Sequence, residues 1–283
     1  MTRSSQSTRT PRGGNLAVQI FGELLITLGL VLLLFVAWQL WWTNISANAT
    51  QDDAVTSLSQ EFAQAAQQEK DTGNWDAKTP PIPQLGDQKN APSEDSMVKG
   101  AEESAHGAGD TENQASGELV APPYGQAFGV AYIPRFGLTY QRPIAEGTGT
   151  DVLDTLGLGH YQHTALPGQE GNFALAGHRQ TNGAVLDRVE EIQQGDHIYV
   201  QTVQGYYTYT VYETKIVDPT DVGVIAPDPD NPTAQDTTKR LLTLTTCHPR
   251  YGDTHRYVVH ASFDSWRPLS AGAPDEIKAA VGQ

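Results

Sequence analysis

Leu241-Leu-Thr-Leu-Thr-Thr-Cys247-His-Pro249 and, after a short interval, Arg256-Tyr-Val-Val-His-Ala-Ser-Phe263 form the stretch on which the fold turns. The first run is aliphatic and β-branched up to the cysteine and reads as a buried strand. Pro249 and Gly252 punctuate the interval as a loop. The second run reads as the next strand, so the pair predicts two neighbouring strands with Cys247 ending one and Arg256 opening the other. Cys247 is the only cysteine in the chain, which excludes an internal disulfide and leaves packing or thiol chemistry as its use. A thiol facing a guanidinium is a nucleophile beside a permanent cation.

Working outward, the second half of the chain is rich in strand signals. Phe128–Pro134, Leu138–Ile144 and Asn172–Ala176 are short candidates. His197–Val203, Gly205 and Tyr206–Val217 alternate with period two about a glycine-containing turn, which predicts a hairpin. Asp151-Val-Leu-Asp-Thr-Leu and Ala184-Val-Leu-Asp-Arg-Val read as short helices. Seven or eight short strands with two short helices predict a mainly β fold closed as a barrel. About 150 residues bury an adequate core without disulfides.

Three motifs then fall in a telling order. Thr243-Leu-Thr-Thr-Cys247 with Arg256 on the next strand resembles the signature of the sortases, cysteine transpeptidases that attach proteins to bacterial cell walls. Pro167-Gly-Gln-Glu-Gly-Asn-Phe-Ala-Leu-Ala-Gly-His178-Arg resembles the family's histidine segment, and Ala131-Tyr-Ile-Pro134 with Pro143-Ile-Ala-Glu-Gly147 its opening strands. The Cys-His-Pro continuation and the Val-His-Ala ending are most similar to the class E group of actinobacteria, while Tyr251-Gly-Asp-Thr-His-Arg256 echoes class C. The resemblance covers residues 120–266 and implies a closed barrel of about eight strands. It further implies His178, Cys247 and Arg256 as catalytic residues, and the loop Asp218–Arg240 as a substrate cover. Thr246 and His248, flanking the nucleophile, are expected to bind substrate.

The implied chemistry is cleavage of a C-terminal sorting motif, Leu-Pro-x-Thr-Gly or the Leu-Ala-x-Thr-Gly of class E, between Thr and Gly. A thioacyl-enzyme would pass the protein to an amine of a peptidoglycan precursor. The implied partners are secreted proteins bearing that motif and the precursor amine. A hydrolase that delivers its acyl group to water, and a silent binding domain on a stalk, are the competing readings. No cofactor is expected. Neither Cys-x-x-Cys nor His-Glu-x-x-His spacing occurs, and Glu170 stands largely alone near the histidine segment, so no metal, calcium included, is expected. The remaining histidines, among them His160, His163, His255 and His260, are read as structural. Arg179 is the rival cation, but its position next to His178 on an extended segment points it to the opposite side, and Arg179→Lys is expected to be tolerated.

The first 120 residues have a different character. Leu24–Trp42 is almost wholly apolar and spans roughly 29 Å as a helix, about one hydrocarbon core. Arg3, Arg9 and Arg12 precede it, which places the N-terminus in the cytoplasm, and Trp38, Trp41 and Trp42 suit the outer interface. Between residues 51 and 120 there are fourteen Asp and Glu against four Lys and no Arg, most of the chain's net charge of −15. Such acidity excludes a basic nucleic-acid face, and the low hydrophobicity predicts a flexible stalk. Within it, Leu58, Phe62, Ala65 and Ala66 fall near helical spacing, allowing one helix over Thr56–Lys70. The expected organisation is a cytoplasmic N-terminus (1–22), a transmembrane helix (23–42), an acidic flexible linker (43–120), the catalytic domain (121–268) and a C-terminal tail (269–283). On that division a fragment beginning near residue 120 carries the entire core.

Overall fold

The computed structural model describes residues 13–72, 120–234 and 236–282. The chain divides into two units, Met1–Thr43 and Asn44–Gln283. One long helix, α1 (Gly13–Thr72), contributes to both. In the first unit its residues Val18–Val36 have a mean hydropathy of 2.3, and none of that window is buried, so it is long and apolar enough to cross a membrane.

The second unit is built on an eight-stranded barrel. In chain order the strands are β1 (Ala127–Tyr132), β2 (Arg142–Glu146), β3 (Leu158–His160), β4 (Gly171–Gly177), β5 (His197–Thr202), β6 (Gly205–Val217), β7 (Arg240–His248) and β8 (His255–Arg267). They close in the order β1-β2-β3-β4-β7-β8-β6-β5, with β5 pairing back onto β1. A short helix, α2 (Thr150–Leu156), crosses over between the parallel strands β2 and β3. The other parallel pair, β4 with β7, brings together segments some seventy residues apart. The predicted hairpin is present as β5–β6, where Gly205 at φ +143° opens β6 in a conformation that disfavours side chains.

Alternation along each strand sets what faces inward. Phe173, Leu175, Leu242, Leu244, Val259 and Ala261 belong to one apolar core cluster inside the barrel. Their intervening neighbours Asn172, Ala174, Thr243, Thr245, Val258 and His260 therefore lie on the outer face. They are buried all the same, because loops cover that face.

Four sequence expectations are corrected. The stretch 43–72, assigned to a flexible linker with one helix allowed over Thr56–Lys70, is helical throughout, and Val55, Leu58 and Phe62 are buried in a second apolar cluster. That cluster includes Val130, Tyr132, Tyr199 and Tyr206 from the outer side of the barrel. Spacing of three and four residues puts the three helix residues on one face; the helical spacing of Leu58 and Phe62 was visible in the sequence, but the barrel surface they pack on was not. The rest of the expected linker, 73–119, lies outside the described residues, as does the N-terminal segment 1–12. Of the expected tail, residues 269–282 are not loose: Leu269, Ala273 and Ile277 join the same cluster, and α3 (Lys278–Val281) follows them. Residues 184–188 form turns rather than a helix, with a 3-10 turn only at Val189–Glu191. Finally, the strand expected from Leu138 begins only at Arg142.

Candidate active site

Three adjacent strands deliver the three residues singled out by sequence. β7 lies between β4 and β8. On one side, Cys247 and Arg256 are register partners in the β7–β8 ladder, so both side chains project from the same face. On the other side, β4 runs parallel to β7 with Ala176 opposite Thr245. The Thr246 hydroxyl donates to Gly177 O at 2.7 Å, and Arg179 Nη1 donates to Cys247 O at 3.3 Å. His178 and Cys247 are thus the next residues on neighbouring chains, and Cys247 is flanked by His178 and Arg256. The thiol is half-buried and free.

His178 is not left to itself. Its Nε2 bonds to Asp154 Oδ1 on α2 at 2.6 Å. With Nε2–H donated to the carboxylate, Nδ1 is the ring nitrogen left for proton exchange. Arg256 Nη1 donates to Asp253 O at 2.8 Å and to His255 O at 3.0 Å, which steadies the guanidinium against its own loop.

Arg179 turns to the opposite side of the chain, as expected, but its use is structural. It is 2% exposed, the largest fully buried side chain among the described residues. Beyond Cys247 O it donates to His248 Nδ1 at 3.1 Å, and Nη2 meets Glu190 Oε1 at 2.8 Å. That guanidinium bond holds the Glu190 carboxyl below its usual range. His248 Nδ1 also lies 3.2 Å from Glu190 Oε1, so the ring sits between the guanidinium and the carboxylate.

Thr246, expected to bind substrate, is buried between β7 and β4. It is 3% exposed, and its one proton is committed to Gly177 O. Period-two alternation turns it away from the face that bears Cys247. It ties β7 to β4. Beside the site, Tyr161 OH meets Thr245 Oγ1 at 3.0 Å. Sequence reasoning missed Asp154, Tyr161 and Glu190. Asp154 sits in an unremarkable short helix, and nothing local distinguishes it from Asp151.

Residues 131–264 match the family model for the Sortase domain. Sortase D of Bacillus subtilis is 35% identical over 146 residues, 51% of this chain and 67% of that protein. This chain belongs to the sortase family. The sortase is also 29% identical to Sortase SrtE1 of Streptomyces coelicolor across 97% of its own length, and it spans 65% of that longer relative. Among solved structures, sortase E from Streptomyces avermitilis superposes with a TM-score of 0.50 at 43% identity, covering 55% of this chain and 99% of that one. The sortase is therefore class E-like.

Two further polar groups shape its outer face. Thr243 Oγ1 donates to Asn172 Oδ1 at 2.8 Å and lies 2.8 Å from His260 Nδ1, while the Asn172 amide donates to Val224 O and Ala226 O at 3.3 and 3.1 Å. The row pins the loop between β6 and β7. Since the Thr243 proton goes to Asn172, His260 donates from Nδ1. Burial lowers the His260 pKa from 6.5 to about 4. His160 is buried with Glu146, Nδ1 to Oε2 at 2.7 Å, and its Nε2 faces Ala165 O at 3.1 Å. His255 Nδ1 lies 3.0 Å from the Thr254 hydroxyl.

Proposed function

We propose that this sortase is a membrane-anchored cysteine transpeptidase acting on a C-terminal sorting motif, with Cys247 as nucleophile, His178 as acid–base and Arg256 as the charged donor. The observation that carries the reading is strand order: β7 presents Cys247 between a histidine at the end of β4 and an arginine at the start of β8. The Arg256 guanidinium is a permanent cation on the strand face that bears Cys247. The Cys247 sulfur attacks the Thr–Gly carbonyl carbon, giving a tetrahedral oxyanion that the Arg256 guanidinium stabilises. His178 Nδ1 gives a proton to the departing glycine amine as the C–N bond breaks, leaving a thioester on Cys247. An acceptor amine of a cell-wall precursor then attacks the thioester, and neutral His178 takes up the proton released. Asp154 orients the imidazole and offsets its charge whenever it is protonated.

Transfer rather than hydrolysis requires that water be kept from the thioester. The loop of residues 218–239, tied down through Asn172 and by Lys239 to Asp228 and Asp230 at 2.8 and 3.0 Å, is the cover proposed for that task. Arg3, Arg9 and Arg12 before the apolar span support a cytoplasmic N-terminus and an extracellular catalytic domain. Likeness to sortase E favours a Leu-Ala-x-Thr-Gly motif over Leu-Pro-x-Thr-Gly.

The test is product analysis. The full chain in detergent is incubated with both peptides in competition, with and without an added amine, and the products are weighed by mass spectrometry. Amine-dependent ligation that disappears in Cys247→Ala, with the variant still folded by circular dichroism, is the expected result. Hydrolysis alone would make the protein a thiol peptidase, and no reaction, or an active Cys247→Ala, would sink the assignment.

A further inference from the structure

We infer that the part of α1 beyond the apolar span, through Asn44 and Gln51, is a positioning element for the loop that carries His178. This rests on the reading of His178 as the acid–base.

The loop after His178 is conformationally demanding. Asn182, Gly183 and Ala184 stand in succession at φ +52°, +88° and +46°. Asn182 and Gly183 accept the left-handed region readily, but Ala184 does not, so the turn carries strain at that residue and persists only where its surroundings hold it. Leu186 N–H donates to His178 O at 2.9 Å, closing the loop directly onto the catalytic position. Its apex is then held by α1 from both polar sides. The Gly183 N–H donates to Asn44 Oδ1 at 2.9 Å, and Gln51 Nε2 donates to Asn182 O at 3.2 Å.

Gln51 reaches the other half of the dyad as well. It is fully buried. A Cβ placed on Gly183 would come within 2.7 Å of its carboxamide, and one on Gly157 within 3.2 Å. Gly157 caps α2, the helix that bears Asp154. One side chain of α1 therefore packs against the loop behind His178 and against the end of the helix whose carboxylate orients that histidine. Displacement of either end would change the His178–Asp154 contact of 2.6 Å.

Mere stabilisation is a separate job, done by separate residues. Val55, Leu58 and Phe62, farther along α1, bury themselves in the apolar cluster that also holds Leu269 and Ile277. The polar contacts near Asn44 and Gln51 and the apolar contacts near Leu58 can be removed independently.

The experiment uses the full chain in detergent and reads kcat and KM of peptide transfer, Tm, and amide exchange of residues 179–186. Asn44→Ala and Gln51→Met are expected to lower kcat about tenfold, with KM and Tm nearly unchanged. Asn44→Asp, which keeps an oxygen acceptor for the Gly183 N–H, restores most of the rate. Leu58→Ala lowers Tm and leaves kcat of the folded protein near wild type. Wild-type kcat in Asn44→Ala, an Asn44→Asp as impaired as Asn44→Ala, or a Leu58→Ala with the same kcat loss overturns the proposal. Exchange is read independently of turnover: Asn44→Ala should accelerate exchange in 179–186 while leaving the β5–β6 hairpin unchanged, and unaltered exchange overturns the tie. If wild type transfers nothing yet exchange responds, it is the assignment of His178 that has failed.

Discussion

Cys247 and Arg256 stand directly opposite each other across the β7–β8 ladder, nine residues apart in sequence and one strand apart in space. The loop from Pro249 to Thr254 returns the chain in register, so the thiol and the guanidinium share a face by construction of the sheet. Arg256→Lys keeps the charge but loses the planar fork of donors. We expect it to reduce kcat/KM by about a hundredfold, close to the effect of Arg256→Ala, as removal of an oxyanion donor does. Steady-state kinetics on a sorting peptide measures this; near-wild-type activity in Arg256→Lys would reduce the residue to a simple countercharge.

Asp154 should matter to the rate and little to the fold, since its side chain is 43% exposed and its partner is His178. Asp154→Ala is expected to lower kcat by about ten- to a hundredfold, with Tm within a few degrees of wild type. Asp154→Asn retains a hydrogen-bonding oxygen and should fall between. A variant at wild-type kcat would show that His178 is oriented by other contacts.

Arg179 is the cation whose loss should harm the structure. Replacing it with Ala strips the hydrogen bonds to Cys247 O and His248 and the pairing with Glu190. A cost of about 2–3 kcal/mol is expected for charged hydrogen bonds at a buried side chain, read as a lower urea midpoint. Arg179→Lys cannot span all three partners, so the tolerance expected from sequence is withdrawn. An unchanged midpoint in both variants would contradict the buried role.

A fragment starting at residue 120 is expected to be markedly less stable than one starting at residue 44. Removing α1 uncovers Val130, Tyr132, Tyr199 and Tyr206 and forfeits the burial of Val55, Leu58 and Phe62. At about 1.5–3 kcal/mol per buried large apolar side chain, an upper bound, the loss is several kcal/mol. Thermal melts of the two fragments should differ by about 10 °C or more. Equal melting temperatures would show that the helix is dispensable to the barrel.

Acid should weaken the fold through His260. Burial, then the Lys215 ammonium, depress its pKa from 6.5 to about 4, with Glu213 and Asp230 opposing. Between those values the unfolded chain binds the proton and the native one does not, so stability rises with pH in that window. The contribution is fully present above pH 6.5 and is lost as pH falls towards 4, by about 3 kcal/mol at most. His260→Phe, which keeps a ring beside Tyr212, should flatten urea-measured stability over that range. An unchanged slope would assign the acid sensitivity to other groups.

The local chemistry of the sheet and the motif were legible in the sequence. Alternating aliphatic and β-branched residues announced β5, β6, β7 and β8, because period two survives in any strand with one face inside. Cys247, His178 and Arg256 were legible for the same reason: each ends or begins a strand, where a short motif fixes its position. Other features depend on contacts between distant segments. Asp154 reaches His178 from 24 residues upstream, on a helix with no signature of its own. The helical spacing of Leu58 and Phe62 was legible but not the barrel surface that buries them, and the tail at Leu269–Ile277 was hidden by the absence of any period at all. Sequence determined most of the strands, though not β3, and which three side chains stand at strand ends. Tertiary structure alone decided what surrounds them, because hydrogen-bond partners of the loop after His178 are supplied by residues as far away as Asn44 and Gln51, and no local pattern encodes a partner more than a hundred residues away.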